Sequence, residues 1–126
     1  MNTQRIEMFH HDADLMNVYE VVLKHAGYAV GKHDFGKMPL VDVPAKILEI
    51  RPDLVILSVE RRHTSPRFAA LLEGESKEGL EALAEIRKHP ELESLPIIMA
   101  SENDKYKSEA ISAGATDYFD KIHQSL

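Results

Sequence analysis

Several polar side chains in this 126-residue chain stand at the ends of apolar runs, where chemistry is easiest to host. Ser58 closes the run 54–57 inside RPDLVILSVE, and Glu60 follows two positions later. His10, His11 and Asp12 follow the run 6–9. Ser101 follows 96–100, and Lys121 stands just beyond 116–119, which contains Tyr118. Ser58 with His10 or His11 and Asp12 is the cast of a Ser-His hydrolase. The turn LSVE, however, lacks the glycines of a nucleophile elbow, and no glycine-rich oxyanion loop is present. His10, His11 and Asp12 could instead sense a metal or small ligand, since borderline metals favour imidazole. Adjacent strand residues point to opposite faces, so both rings meet one ion only if the strand has already ended. A third ligand such as His63 would have to come from a long loop.

The elements that position these residues are legible from periodicity. Pro52 and Asp53 are turn residues, and the β-branched run behind them reads as a strand buried on both faces. Residues 6–9, 28–30, 96–100 and 116–119 read as further strands, with Glu7 odd in the first. Between them, Leu15, Val18, Tyr19, Val22 and Leu23 recur at helical spacing behind Asp14 as N-cap, and Gly27 stops that helix. Residues 31–40 read as a loop. Asp42 reads as the cap of a second helix, with Pro44 in its first turn and Ile47 and Leu48 on its inner face. Ser76 reads as the cap of a third, carrying Leu80, Leu83, Ala84 and Ile86 and ended by Pro90. Asn103 or Asp104 starts a fourth, closed by Gly114. Strands alternating with helices, joined by right-handed crossovers, predict a doubly wound α/β sheet of five parallel strands. Ligands of such sheets sit beyond the carboxyl ends of the strands.

Composition narrows the function classes. A charge of −6 argues against general attraction to nucleic acid or anionic lipid. The absence of cysteine excludes disulfides, thiolate metal sites and thiol catalysis, and fits a cytoplasmic setting. The first residues lack a signal-peptide core, and no run approaches a membrane-spanning length.

Taken together, RPDLVILS, LPIIMAS and AGATDYFDK, in that order, resemble the receiver domain of two-component response regulators (CheY-like) over nearly the whole chain. The resemblance implies a flavodoxin-like sheet with strand order 2-1-3-4-5, and a signalling domain that is no enzyme, has no cofactor and works through protein partners. In that family an aspartate ending the third strand accepts a phosphoryl group, and an acidic pair after the first strand helps bind magnesium. A Ser or Thr after the fourth strand contacts the phosphoryl oxygen, and a lysine after the fifth pairs with it. An aromatic residue in the fifth strand reports the state. By position, Ser101 matches the hydroxyl, Lys121 the lysine and Tyr118 the switch aromatic. Ser58 stands in place of the acceptor aspartate, and His10 and His11 in place of the acidic pair. Ile122 replaces the proline that usually follows the lysine. A serine cannot form an acyl phosphate, and two imidazoles remove much of the oxygen shell that magnesium requires. Asp12 lies one position too late, and Glu60 could swing in.

The expectation is therefore a degenerate pseudo-receiver acting as a phosphorylation-independent interaction module, using its fourth helix and fifth strand as the partner surface. Each residue also has a structural reading. Lys121 would be a strut to Asp12 or Glu60, Ser101 a strand-end hydroxyl satisfied by backbone, and Tyr118 a core aromatic.

Two features extend past the motif. The stretch 61–78 runs about a dozen residues beyond the usual connection, and loops of that length are mostly functional or disordered. Phe68, Leu71 and Leu72 predict a short helix there, beside the vacant pocket. Residues 122–126 allow barely more than one helical turn, so the fifth helix is expected to be short or absent. Sheet surface near the first, third and fourth strands would then be bare, with Glu7 a polar residue tolerated at the gap. The bare face is expected to be buried in a two-fold homodimer or by a neighbouring domain.

Overall fold

The computed structural model describes residues 3–60, 77–102 and 104–120. The strands are β1 (Arg5–His10), β2 (Ala29–Asp34), β3 (Leu54–Ser58), β4 (Ile97–Ser101) and β5 (Asp117–Asp120). All pair in parallel in the order β2-β1-β3-β4-β5, as the sequence predicts. The helices are α1 (Ala13–His25), α2 (Asp42–Ile50), α3 (Glu78–Arg87) and α4 (Lys107–Ser112), with a 3-10 turn at Pro90–Leu92.

Strand alternation divides the core into two. Phe9, Val55, Leu57, Ile97, Met99 and Tyr118 pack with the inner faces of α2 and α3. Ile6, Met8, Ile56 and Ala100 pack with Met16 and Tyr19 of α1. Gly27, with φ +102, and Gly114, with φ +110, end α1 and α4 in the backbone region that glycine enters without a Cβ clash.

Local details depart from the sequence reading. The N-cap of α1 is Asp12, whose Oδ1 accepts from Leu15 N at 3.1 Å; Asp14 lies in the first turn instead. Asp42 is the first helical residue of α2, behind Val41, which makes no side-chain cap bond. The α4 helix starts at Lys107, later than Asp104, and is preceded by Tyr106. The second strand reaches Asp34, because its backbone pairs along the whole of β1, so part of the expected loop is strand. Ser76, Asn103, the expected short helix and most of the inserted loop, including His63, lie outside the described residues, as do Lys121 and the expected fifth-helix region.

The expectation of a bare sheet face is overturned for most of that face. Ile6, Met8, Ile56 and Ala100 are all buried. What stays open is a groove of about 220 Å³ beside Ile98 and Phe119. Outside it, Val18, Val21 and Val22 leave one flank of α1 exposed. Glu7 is no adaptation to that face. It shares the α2 side with Phe9, and its carboxylate lies across Gly31, where a Cβ would come within 1.7 Å of Oε2. Its Oε1 takes Arg5 Nε at 3.2 Å and lies 3.7 Å from His33 Nε2.

One arginine ties two connections together. Arg87, at the end of α3, donates to the carbonyls of Leu92 at 2.6 Å, Leu95 at 2.8 Å and Gly114 at 3.0 Å. It thereby fixes the entry to β4 against the turn that leads to β5. Arg87→Ala is expected to lower stability by roughly 1–2 kcal/mol in urea denaturation, since two part-buried carbonyls and one exposed carbonyl lose a charged donor. Arg87→Lys should restore only a minor part, because one ammonium cannot span the fork.

Candidate functional site

The carboxyl ends of β1, β3 and β4 meet where the sequence places its polar residues. Parallel pairing sets Phe9 beside Leu57 and Ser58 beside Ala100, so the residues that follow converge. Ser58, His10, Glu60 and Ser101 are all buried, and His11 is partly so. Buried polar groups must find partners, and here they find one another.

Ser58 is 0% exposed and its Oγ donates to the Glu60 carbonyl at 2.6 Å. His11 Nδ1 lies 3.0 Å from the same carbonyl and 3.2 Å from Ser58 Oγ. With the serine proton given to the carbonyl, the consistent assignment puts a proton on His11 Nδ1, donating to that carbonyl as well. His11 Nε2 points to Glu102 Oε1 at 3.9 Å. His10 Nδ1 accepts from the Asp12 amide at 2.9 Å, which requires its lone pair. The two imidazoles stack with centroids 4.7 Å apart.

The Glu60 side chain reaches to β4. Its Oε1 accepts from Ser101 Oγ at 2.6 Å and from the Glu102 amide at 2.9 Å. Its Oε2 is buried with no hydrogen-bond partner among the described residues. Tyr118 is buried in the core beneath. Burial raises its phenol above the ordinary value, while hydrogen bonds to Ser101 and to the Tyr106 backbone work the other way.

The α3 helix closes the site from one side. A Cβ on Gly79 would sit 1.8 Å from the Ser58 carbonyl, so the helix start approaches the strand end as only glycine permits. The Gly79 amide donates to the Val59 carbonyl at 2.8 Å.

These contacts bring together Ser58, His11, Glu60, Ser101 and Tyr118, with His10 beside them. Asp12 is drawn off to cap α1. The order Ser58–His11–Glu102 is superficially that of a hydrolase, but the serine proton is committed to a carbonyl and the hydroxyl is inaccessible. For a metal, both Nδ1 atoms are engaged, and no cluster of three His, Cys, Asp or Glu that could hold an ion occurs among the described residues. Sequence reasoning missed Glu102, whose main-chain amide carries no sequence signal. It also missed Gly79, for which a glycine at a helix start was the available clue.

Comparison with known proteins gives the fold its relatives. No family model matches the chain, and no curated protein matches it in sequence. Solved structures do match it in shape. The chemotaxis protein CheY4 of Vibrio cholerae is 20% identical with a TM-score of 0.72, over 98% of this chain and 90% of that one. The response regulator TrrA of Thermotoga maritima, solved with magnesium and a beryllofluoride group, is 23% identical with a TM-score of 0.71, over 97% and 90%. NtrX of Brucella abortus is 25% identical with a TM-score of 0.69, over 98% of this chain and 24% of that protein. The chain has the fold of a CheY-like response-regulator receiver domain.

The buried phenol makes a testable statement about pH. A raised folded-state pKa favours the folded state below the ordinary phenol value near 10, and that contribution is lost as pH rises through the folded value. Tyr118→Phe should remove a late component from the alkaline absorbance titration and flatten the loss of stability above about pH 10. An unchanged titration would contradict the buried position of Tyr118.

Proposed function

We propose that this chain is a receiver-like signalling module that binds protein partners without accepting a phosphoryl group. One observation carries the reading. The strand end that in the resembling family holds the phosphorylated aspartate holds Ser58, fully buried, its hydroxyl donated to the Glu60 carbonyl at 2.6 Å. Such a hydroxyl has neither the carboxylate needed for an acyl phosphate nor a path to a phosphodonor.

The residues after β1 support the same reading. His10 and His11 offer nitrogen where magnesium calls for several oxygens. His10 is turned to the Asp12 amide, and Asp12 to the α1 N-terminus.

Partner binding is assigned to α4, β5 and their flanks, the output face that the resemblance implies. Ile111 of α4 is 45% exposed among the polar residues Lys107, Ser108 and Glu109, which suits a contact of mixed character. Ser101 and Tyr118 lie directly beneath this face, so their arrangement bears on its shape.

Incubation with acetyl phosphate or phosphoramidate and magnesium tests the reading by intact mass. No phosphoryl gain is expected. A stoichiometric gain that hydroxylamine removes would overturn it.

A further inference from the structure

We infer that the Glu60 carboxylate is a resident anionic ligand of the β4 end, occupying the position where an external anion would otherwise engage Ser101 and the Glu102 amide. The inference rests on the reading that the module works without phosphoryl transfer, and it says what stands in for the missing group.

Three observations carry it. First, Oε1 gathers two donors that belong to another strand end, Ser101 Oγ at 2.6 Å and Glu102 N at 2.9 Å. A main-chain amide and a hydroxyl converging on one point form an anion-accepting corner. Charge-assisted bonds to a carboxylate 4% exposed to solvent are stronger than neutral ones.

Second, the carboxylate is aimed by its own backbone. Ser58 Oγ at 2.6 Å and His11 Nδ1 at 3.0 Å both bind the Glu60 carbonyl, fixing that residue against β3 and the end of β1. Ser58 and His11 are thereby positioning residues for Glu60. An aspartate at position 58 would bring a second acceptor to a carbonyl that needs donors. Serine supplies one.

Third, Ser101, which binds the carboxylate, shares a face of the sheet with Tyr118 on the neighbouring strand, and Tyr118 is packed in the core under α4. The chain carries its own occupant, so the arrangement is made without an external signal.

Removing the side chain should empty the corner and leave it able to accept a small anion. The experiment is amide exchange and nitrogen–proton correlation on labelled protein, comparing wild type with Glu60→Ala. The Glu102 amide should exchange at least about tenfold faster in the variant, having lost its acceptor. The resonances of Ser101 and Tyr118 should move. Acetate, titrated to molar concentration, should return the Glu102 and Ser101 amide resonances towards their wild-type positions along a saturable curve. Unchanged Glu102 protection in Glu60→Ala, or no saturable return with acetate, would overturn the inference.

Ser101→Ala is the second variant, in case Glu60→Ala does not fold. It should move Tyr118 while Glu102 stays protected by Glu60, and an unmoved Tyr118 would overturn the linkage. The same wild-type sample treated with acetyl phosphate separates the two proposals. A phosphoryl adduct on the wild type defeats the proposed function, whereas unaltered Glu102 exchange in Glu60→Ala, with no adduct on the wild type, defeats the Glu60 inference alone.

Discussion

A buried carbonyl and a buried carboxylate, both belonging to Glu60, set the terms for the carboxyl end of this sheet. Each must be satisfied without water. The carbonyl takes Ser58 and His11, and one carboxylate oxygen takes Ser101 and the Glu102 amide. Three strand ends are joined through one residue. Removing the side chain would take a charged acceptor from two donors, and a hydrogen bond to a charged group is worth about 1.5–3 kcal/mol. That scale is a large fraction of the stability of a small domain, so the identities of the surrounding residues are tightly constrained.

The same constraint decides what the site does chemically. A receiver pocket that takes phosphate needs open carboxylate oxygens facing solvent and a metal. Here the first strand end offers imidazoles, one of them spent on the Asp12 amide, and the third offers a hydroxyl spent on a carbonyl. The donors that remain point at Glu60. Gly79 lets α3 press against the Ser58 carbonyl, which seals the position further. Ser101 binds the Glu60 carboxylate and shares a face of the sheet with the buried Tyr118.

Much of the architecture was legible in the sequence, for a physical reason. Central strands of a parallel sheet are buried on both faces, so 54–57 and 96–100 stand out as unbroken apolar runs. Their alternation with helices implies parallel pairing, and the order of the strands follows from the family resemblance. Helix starts were less legible. Asp12, Asp14 and Asp42 are equally good caps by type, and only backbone geometry selects Asp12. Strand parity puts Glu7 on the α2 side with Phe9, over Gly31, and not on the face beside α1. The residues of the site were named from their positions at strand ends, but their connections were not. Glu60 was noticed only as a side chain that could swing in. Where a carboxylate points after a strand has ended follows no period, and its partner at Glu102 is a main-chain amide that every residue type possesses.

The proposed reading requires that this strand-end site, with Ser58, His11 and Ser101 engaged on Glu60, take no magnesium or phosphoryl-like group. The most direct measurement is a titration of labelled protein with magnesium and beryllofluoride, followed at the amides of Ser58, Glu60, Ser101 and Glu102. The account predicts no saturable shift at any of the four. Saturable shifts at Ser58 and Ser101 together, with magnesium required, would contradict it.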